Sequence, residues 1–179
     1  MSKVHEFHDR NQYSLAGRDE KFWDLVYHKA FPTMIRWELV DDISQQKQGI
    51  DRKLFLQSAG GSIHEILIDE KKRGEVFPDI LLEFASAAEF NTPGWIEKDL
   101  RIDFLAYAFM PTSTVYLFPW PMLKRAWVRF GEKWKKEYRI ISANNPGYTT
   151  LSVAVPIKKL QSAVTSASVI NVSKQMGRG

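Results

Sequence analysis

The sequence predicts a single α/β domain in which helices flank a mixed central β-sheet. Three observations indicate this fold class. The chain has 179 residues and is 44% hydrophobic, which suits one domain with a sizeable core. Several apolar or alternating segments between residues 48 and 118 have the length and composition of strands. Helical patterns precede and follow them, an order typical of helices packed on a sheet.

The first half of the chain contains a predicted helix and three predicted strands. Residues 1–17 are polar and are predicted to be a loosely ordered segment. Asp19 to Phe31 carries apolar residues near one helical face, and Pro32 ends this helix. The strands are predicted at Gln48 to Gln57, Ile63 to Lys72 and Ile80 to Ala85. Gly60-Gly61 suits a hairpin turn between the first two. The third is nearly all apolar and is predicted to be a central strand buried on both faces.

The second half adds further strands and one long amphipathic helix. Strands are predicted at Ile102 to Phe109, Thr114 to Phe118 and Thr150 to Val155. From Pro121 onward, apolar residues recur at helical spacing and form a single stripe. Its members are Leu123, Trp127, Phe130, Trp134 and Tyr138. A short helix is predicted near residues 157–164. The predicted domain therefore spans residues 18–164, and the Ser-rich, basic residues 165–179 are predicted to be a flexible tail.

Composition excludes several classes of function. The chain has no cysteine, which excludes disulfides, cysteine-ligated zinc and thiol chemistry. It has no apolar run long enough to span a membrane, so no membrane partner is expected. The N-terminus is polar, and together with the missing cysteines this favours a cytoplasmic location. The formal net charge of +4 is compatible with a polyanionic partner but does not require one.

Two carboxylates and a lysine are expected to meet at the ends of neighbouring strands. Asp51 lies early in one strand of the predicted hairpin, and Asp69 and Lys71 lie near the end of the other. Residues two apart in a strand share a face, so Asp69 and Lys71 point the same way and Glu70 points away. Two converging carboxylates repel each other unless a cation or a proton intervenes. Hard oxygen ligands suit Mg²⁺ or Mn²⁺, and a nearby ammonium can stabilise charge on a phosphate.

The residues Gly49 to Arg52 (GIDR), followed by a glycine turn and Ile68 to Lys71 (IDEK), resemble the signature of PD-(D/E)XK nucleases. The segments Pro93 to Ile96, Ile102 to Tyr107 and Thr150 to Ile157 are similar to those of small phage- or prophage-encoded members. The resemblance implies a restriction-endonuclease-like αβββαβ core in which Asp51, Asp69 and Lys71 are catalytic. It further implies that Asp51, Asp69 and the backbone carbonyl of Glu70 bind Mg²⁺, for which Mn²⁺ can substitute. The proline of the motif is absent, because Ile50 precedes Asp51.

Further residues are candidates for the same site and for contacts with nucleic acid. Glu83 is an acid in an apolar strand, which suggests either an additional metal or water ligand or a salt bridge to Arg101. The helix from Pro121 has a basic polar side, which suits phosphate contacts as well as a simple solvated face. The candidate nucleic-acid-binding residues are Lys72, Arg73, Lys124, Arg125, Arg129 and Lys133.

The function expected from these features is metal-dependent endonucleolytic hydrolysis of DNA in the cytoplasm of a bacterium or of a phage-infected host cell. The same features are compatible with two alternatives. One is a non-catalytic module that retains the nuclease fold and binds DNA or a protein, and the other is an RNA nuclease. Double-strand cutting by an enzyme with one site per chain favours a homodimer.

Overall fold

Two β-sheets and the helices beside them make up the fold in the computed structural model, which describes residues 19–165 and 168–176. The strands, in chain order, are β1 (Met34–Leu39), β2 (Arg52–Gln57), β3 (Ile63–Arg73), β4 (Asp79–Ala87), β5 (Thr92–Pro93), β6 (Phe104–Phe109), β7 (Thr114–Pro119), β8 (Ile140–Asn145), β9 (Tyr148–Pro156) and β10 (Ser168–Asn171). The helices are α1 (19–30), α2 (Ile43–Gln46), α3 (Trp120–Glu137), α4 (Ile157–Ala163) and α5 (Ser173–Met176).

The larger sheet has six strands in the order β1-β2-β3-β6-β7-β10, and all its pairs are antiparallel except β3 with β6. The prediction of one α/β domain with a mixed central sheet and flanking helices is therefore confirmed. The hairpin of β2 and β3 pairs Arg52 with Ile68 and Gln57 with Ile63. Gly61 lies in its turn with a φ of +85°, a conformation that favours glycine.

The larger sheet is buried on both faces near its centre. On one face Leu54, Ile68 and Ala106 pack against α1, which contributes Phe22 and Trp23. On the other face a different set of buried residues packs against the smaller sheet and α3. This second core includes Leu105, Tyr107, Ile80, Leu82, Leu123 and Trp127. Strand β3 is thus held between two layers, which restricts its movement.

Helix α3 has the predicted apolar stripe. Leu123, Trp127 and Trp134 are buried, and Phe130 and Tyr138 pack partly buried against the same core. The helix begins at Trp120, one residue before the expected Pro121. No helix in the described part of the chain is both long and apolar enough to cross a membrane.

Strand β4 differs from its prediction in the sheet that it joins. Residues 80–85 were expected in the central sheet, but β4 belongs to the smaller sheet of order β5-β4-β9-β8. An apolar run predicts a strand with two neighbours, and β4 has them, but it does not specify which strands they are. Consequently the connection from β3 to its parallel neighbour β6 runs through β4, β5 and loops, without an α-helix.

The C-terminal segment also differs from its prediction. Part of the expected flexible tail forms β10, which pairs with β7 as the edge of the larger sheet, and α5 follows it. Ile170 and Val172 are buried against the core on the α1 side, and this burial accounts for the ordered segment. The expected loose segment 1–17 lies outside the described residues.

Candidate active site

Asp51, Asp69 and Lys71 line one pocket of about 220 Å³. Asp51 directly precedes β2, while Asp69 and Lys71 share the face of β3 that lies opposite α1. The other walls of the pocket come from loops, with Gln46, Lys47, Gly49, Trp95, Lys98 and Leu100. The structure therefore brings together the three residues that the sequence singled out, in a concave site of mixed charge.

Backbone pairing fixes the position of Asp51. Its N–H donates to the carbonyl of Ile68 at 2.9 Å, and its Oδ2 accepts from the N–H of Glu70 at 2.7 Å. Gly49 precedes it with a φ of +84°, and a Cβ there would lie 2.9 Å from Leu100 Cδ1. A glycine two residues before Asp51 thus permits the turn that delivers this carboxylate to β3.

Asp69 is a buried carboxylate with only part of its hydrogen-bonding capacity used. Its side chain pairs through Oδ1 with the ammonium of Lys71. Its Oδ2 is buried and has no hydrogen-bond partner among the described residues. Burial raises the pKa of Asp69 to about 7, Lys71 opposes this rise, and the carboxylate of Asp51 adds to it. Lys71 is about one-third exposed, so its ammonium remains accessible from the pocket.

Glu70 turns its side chain away from the pocket, as the strand alternation predicts. Its Oε1 accepts from Arg52 Nε at 2.6 Å and from the Tyr27 hydroxyl at 2.8 Å. Burial raises the pKa of Glu70, and Arg52 and Tyr27 oppose this rise. The guanidinium of Arg52, itself 2% exposed, lies 4.2 Å from the centre of the Trp37 ring. This buried network fixes the face of β3 opposite the pocket.

Strand geometry directs the main-chain carbonyl of Glu70 to the edge of β3 that faces Asp51. Carbonyls alternate in direction along a strand, so those of Ile68 and Glu70 point to the same side. The Ile68 carbonyl accepts from the Asp51 N–H. The ladder between β2 and β3 ends at the pair Arg52 and Ile68, so Glu70 lies beyond the last paired residue of β2. The carbonyl that the resemblance implies as a third metal ligand is thus directed to the same edge of β3 as the Ile68 carbonyl.

Glu83 lies near the pocket without forming one of its walls. Burial raises the pKa of its carboxyl, opposed by the Trp95 backbone N–H and the charges of Lys98 and Lys71. The loop that contains Ile96 packs closely on β4, where the Ile96 N–H donates to the Glu83 carbonyl at 3.1 Å. No group of three or more His, Asp or Glu side chains positioned for a metal occurs among residues 19–165 and 168–176.

The six predicted nucleic-acid-binding residues do not form one surface. Lys72 pairs with Asp19 at 2.6 Å, and Arg73 pairs with Asp79 at 2.9 Å. Lys124 Nζ donates to three successive backbone carbonyls at 2.8–2.9 Å, those of residues 96–98. These three cations bind groups within the chain. Arg125, Arg129 and Lys133 line a separate groove between α3 and α4.

Sequence reasoning missed the loop residues of the pocket, chiefly Lys47, Trp95 and Lys98. Loop residues have no periodicity that could indicate the direction of their side chains. One local signal was present at Gly94, where a Cβ would lie 2.2 Å from the Glu83 carbonyl oxygen. A glycine required by such close packing marks a loop held against a strand.

Comparison of the chain with protein-family models, with curated proteins and with solved structures finds no match.

Proposed function

We propose that this chain is a Mg²⁺-dependent nuclease of the PD-(D/E)XK type that hydrolyses phosphodiester bonds in DNA. The observation that carries the proposal is the buried Asp69, whose Oδ2 has no hydrogen-bond partner in the described part of the chain while Asp51 and Lys71 line the same pocket. A buried carboxylate oxygen without a hydrogen bond is costly unless a cation or a proton satisfies it. The neighbouring carboxylate makes the cost larger, and a divalent cation would remove both penalties.

The donor atoms fit a hard divalent cation. Asp51 retains Oδ1, because its Oδ2 is bonded to a backbone N–H, and Asp69 offers Oδ2. The Glu70 carbonyl supplies a third oxygen on the same side. Mg²⁺ and Mn²⁺ prefer carboxylate and carbonyl oxygens and commonly keep several waters, so three protein ligands are sufficient. When bound, such a cation lowers the pKa of a coordinated water and neutralises charge on a phosphate.

The remaining side chains bind and orient the substrate. Lys71 presents a partly exposed ammonium beside Asp69, from which it can donate to a phosphate oxygen or hold a water in line with the scissile bond. Lys47 and Lys98 add positive charge to the pocket walls and can contact neighbouring phosphates. The Arg52–Glu70 pair acts through β3, since it holds the strand that presents Asp69 and Lys71.

The order of elements supports a restriction-endonuclease-like core over part of the fold. A helix, an antiparallel three-stranded meander and a strand parallel to the third one agree with the αβββ portion and its partner strand. The departure is the connection from β3 to β6, where β4 and β5 replace the helix of that core. A homodimer remains part of the proposal, since one pocket per chain would cut both strands of a duplex most directly as a pair.

A cleavage assay tests this function. Purified protein is incubated with supercoiled plasmid, single-stranded DNA and RNA in Mg²⁺, Mn²⁺ or EDTA. We expect DNA cleavage in either metal, none in EDTA, and a loss of at least about a hundredfold in Asp69→Asn and Lys71→Ala. Glu65→Gln is the matched control, because Glu65 is an exposed carboxyl on the same strand outside the pocket.

Cleavage that persists in EDTA, or that survives both substitutions, contradicts the proposed mechanism. Cleavage of RNA alone would assign the same site to a ribonuclease. Binding of DNA without cleavage in either metal would instead indicate a non-catalytic module.

A further inference from the structure

The groove between α3 and α4 has twice the volume of the catalytic pocket, at about 440 Å³. This volume lies within the usual range for sites that enclose a small organic group. Lys124 of α3 donates to the backbone carbonyls of residues 96–98, and Lys98 lines the catalytic pocket. The next residue, Arg125, already lines the groove.

The groove is strongly cationic. Among the described residues that line it, Glu137 is the single carboxylate and the cations are Arg125, Arg129, Lys133 and Lys159. Glu137 pairs with Lys133 at 3.6 Å on the exposed surface. Within residues 19–165 and 168–176, the other three cations have no acidic partner. Three unneutralised cations around one cavity favour a ligand that carries more than one negative charge.

Aromatic rings form part of the groove wall. Phe130, Trp134 and Tyr138 line it, and Phe130 and Tyr138 are only half-buried. The guanidinium of Arg129 lies 5.0 Å from the centre of the Phe130 ring. Aromatic faces and arginine planes are the surfaces on which unpaired bases stack. A free phosphate would use the cations alone and leave these rings in contact with water.

We propose that this groove binds a nucleotide of single-stranded nucleic acid, with the base against Phe130 and Tyr138 and the phosphates on Arg125, Arg129 and Lys159. In a duplex the bases are stacked on one another and cannot reach rings inside a groove, whereas a single strand can turn a base inward. The choice of nucleic acid as ligand rests on the proposed function.

Binding in EDTA tests this proposal apart from cleavage. The probe is a fluorescent oligothymidylate of about a dozen nucleotides, compared by anisotropy with the duplex of the same length. We expect the single strand to bind at least about tenfold more tightly. Arg129→Ala and Lys159→Ala should weaken binding and each make the dependence of log affinity on log salt shallower by about 0.7. Phe130→Leu keeps apolar packing, removes the ring and should weaken binding roughly tenfold.

Lys136→Ala is the matched control, because Lys136 is an exposed cation on the same helix outside the groove. An equal loss of affinity for the single strand in Lys136→Ala and Arg129→Ala would overturn the proposal. Wild-type affinity in all three groove variants, or tighter binding of the duplex than of the single strand, would also overturn it. If wild type cleaves DNA while the groove variants bind the single strand normally, the proposed binding site in the groove is refuted and the proposed nuclease activity is not. If binding depends on the groove residues but no cleavage occurs, the proposed nuclease activity is refuted and the proposed binding site is not.

Discussion

Replacing Asp69 with asparagine should stabilise the metal-free protein at alkaline pH. The folded chain raises the pKa of this carboxyl from 3.8 to about 7, chiefly through burial. The native state therefore holds the proton more tightly than the unfolded chain does. Its contribution to stability is complete below about pH 4 and is lost as the pH rises through 7. Asparagine has nearly the shape of the protonated acid and does not ionise.

The size of the effect follows from the shift in pKa. Because the unfolded chain ionises Asp69 at lower pH than the native state does, the stability of wild type falls, relative to the fully protonated protein, by roughly 1.7 kcal/mol at about pH 5 and by about 4 kcal/mol at about pH 8. The free energy of unfolding of Asp69→Asn, relative to wild type, should therefore rise by roughly 2.5 kcal/mol between these pH values. Urea unfolding of both proteins in EDTA at the two pH values measures this difference.

Asp42→Asn provides the control for that measurement. Asp42 is an exposed carboxyl whose pKa is lowered by Ser44 and the Gln45 N–H, so it is ionised throughout this pH range. Its difference from wild type should not change with pH. A difference for Asp69→Asn that also stays constant, or that shifts in favour of wild type at alkaline pH, would refute the reasoning about burial.

Three other substitutions and one ligand should have distinct effects. Saturating Mg²⁺ should raise the unfolding temperature of wild type at about pH 8 and leave that of Asp69→Asn unchanged in a thermal melt. Glu70→Ala should cost about 3–5 kcal/mol in urea unfolding, because it leaves Arg52 buried without its partner; a loss below about 1 kcal/mol would contradict a structural role for the pair. Gly94→Ala should destabilise the fold by about 1–3 kcal/mol or more, because its Cβ overlaps the Glu83 carbonyl, and an unchanged urea midpoint would argue against this packing. Lys71→Ala should abolish cleavage while calorimetry still detects Mn²⁺ binding; loss of both would assign Lys71 to assembly of the site instead of to catalysis.

Local patterns predicted those features of the fold that depend on neighbouring residues. The alternation along β3 correctly assigned Asp69 and Lys71 to one face and Glu70 to the other, and the glycine turn brought Asp51 to the same strand end. The stripe of α3 likewise predicted its buried side, because helical periodicity and burial are directly linked.

Features that depend on contacts between distant segments were not predictable in this way. The pairing of β4 with β9 joins segments about 70 residues apart, and nothing local distinguishes it from pairing in the central sheet. The basic residues show the same limit, since Arg73 and Lys124 have the sequence character of phosphate ligands but bind groups within the chain. Tertiary contacts alone distinguish Arg73 and Lys124, which bind groups within the chain, from Arg129, which lines the groove.

The most direct test of the central claim is the anomalous scattering of a crystal soaked in Mn²⁺. We predict a peak in the pocket with a carboxylate oxygen of Asp51 and Oδ2 of Asp69 at about 2.1 Å, and with the Glu70 carbonyl completing the protein ligands. The peak should be absent from Asp69→Asn crystals soaked in the same way. A wild-type crystal with no peak between the two carboxylates, or with manganese bound only elsewhere, would contradict the account.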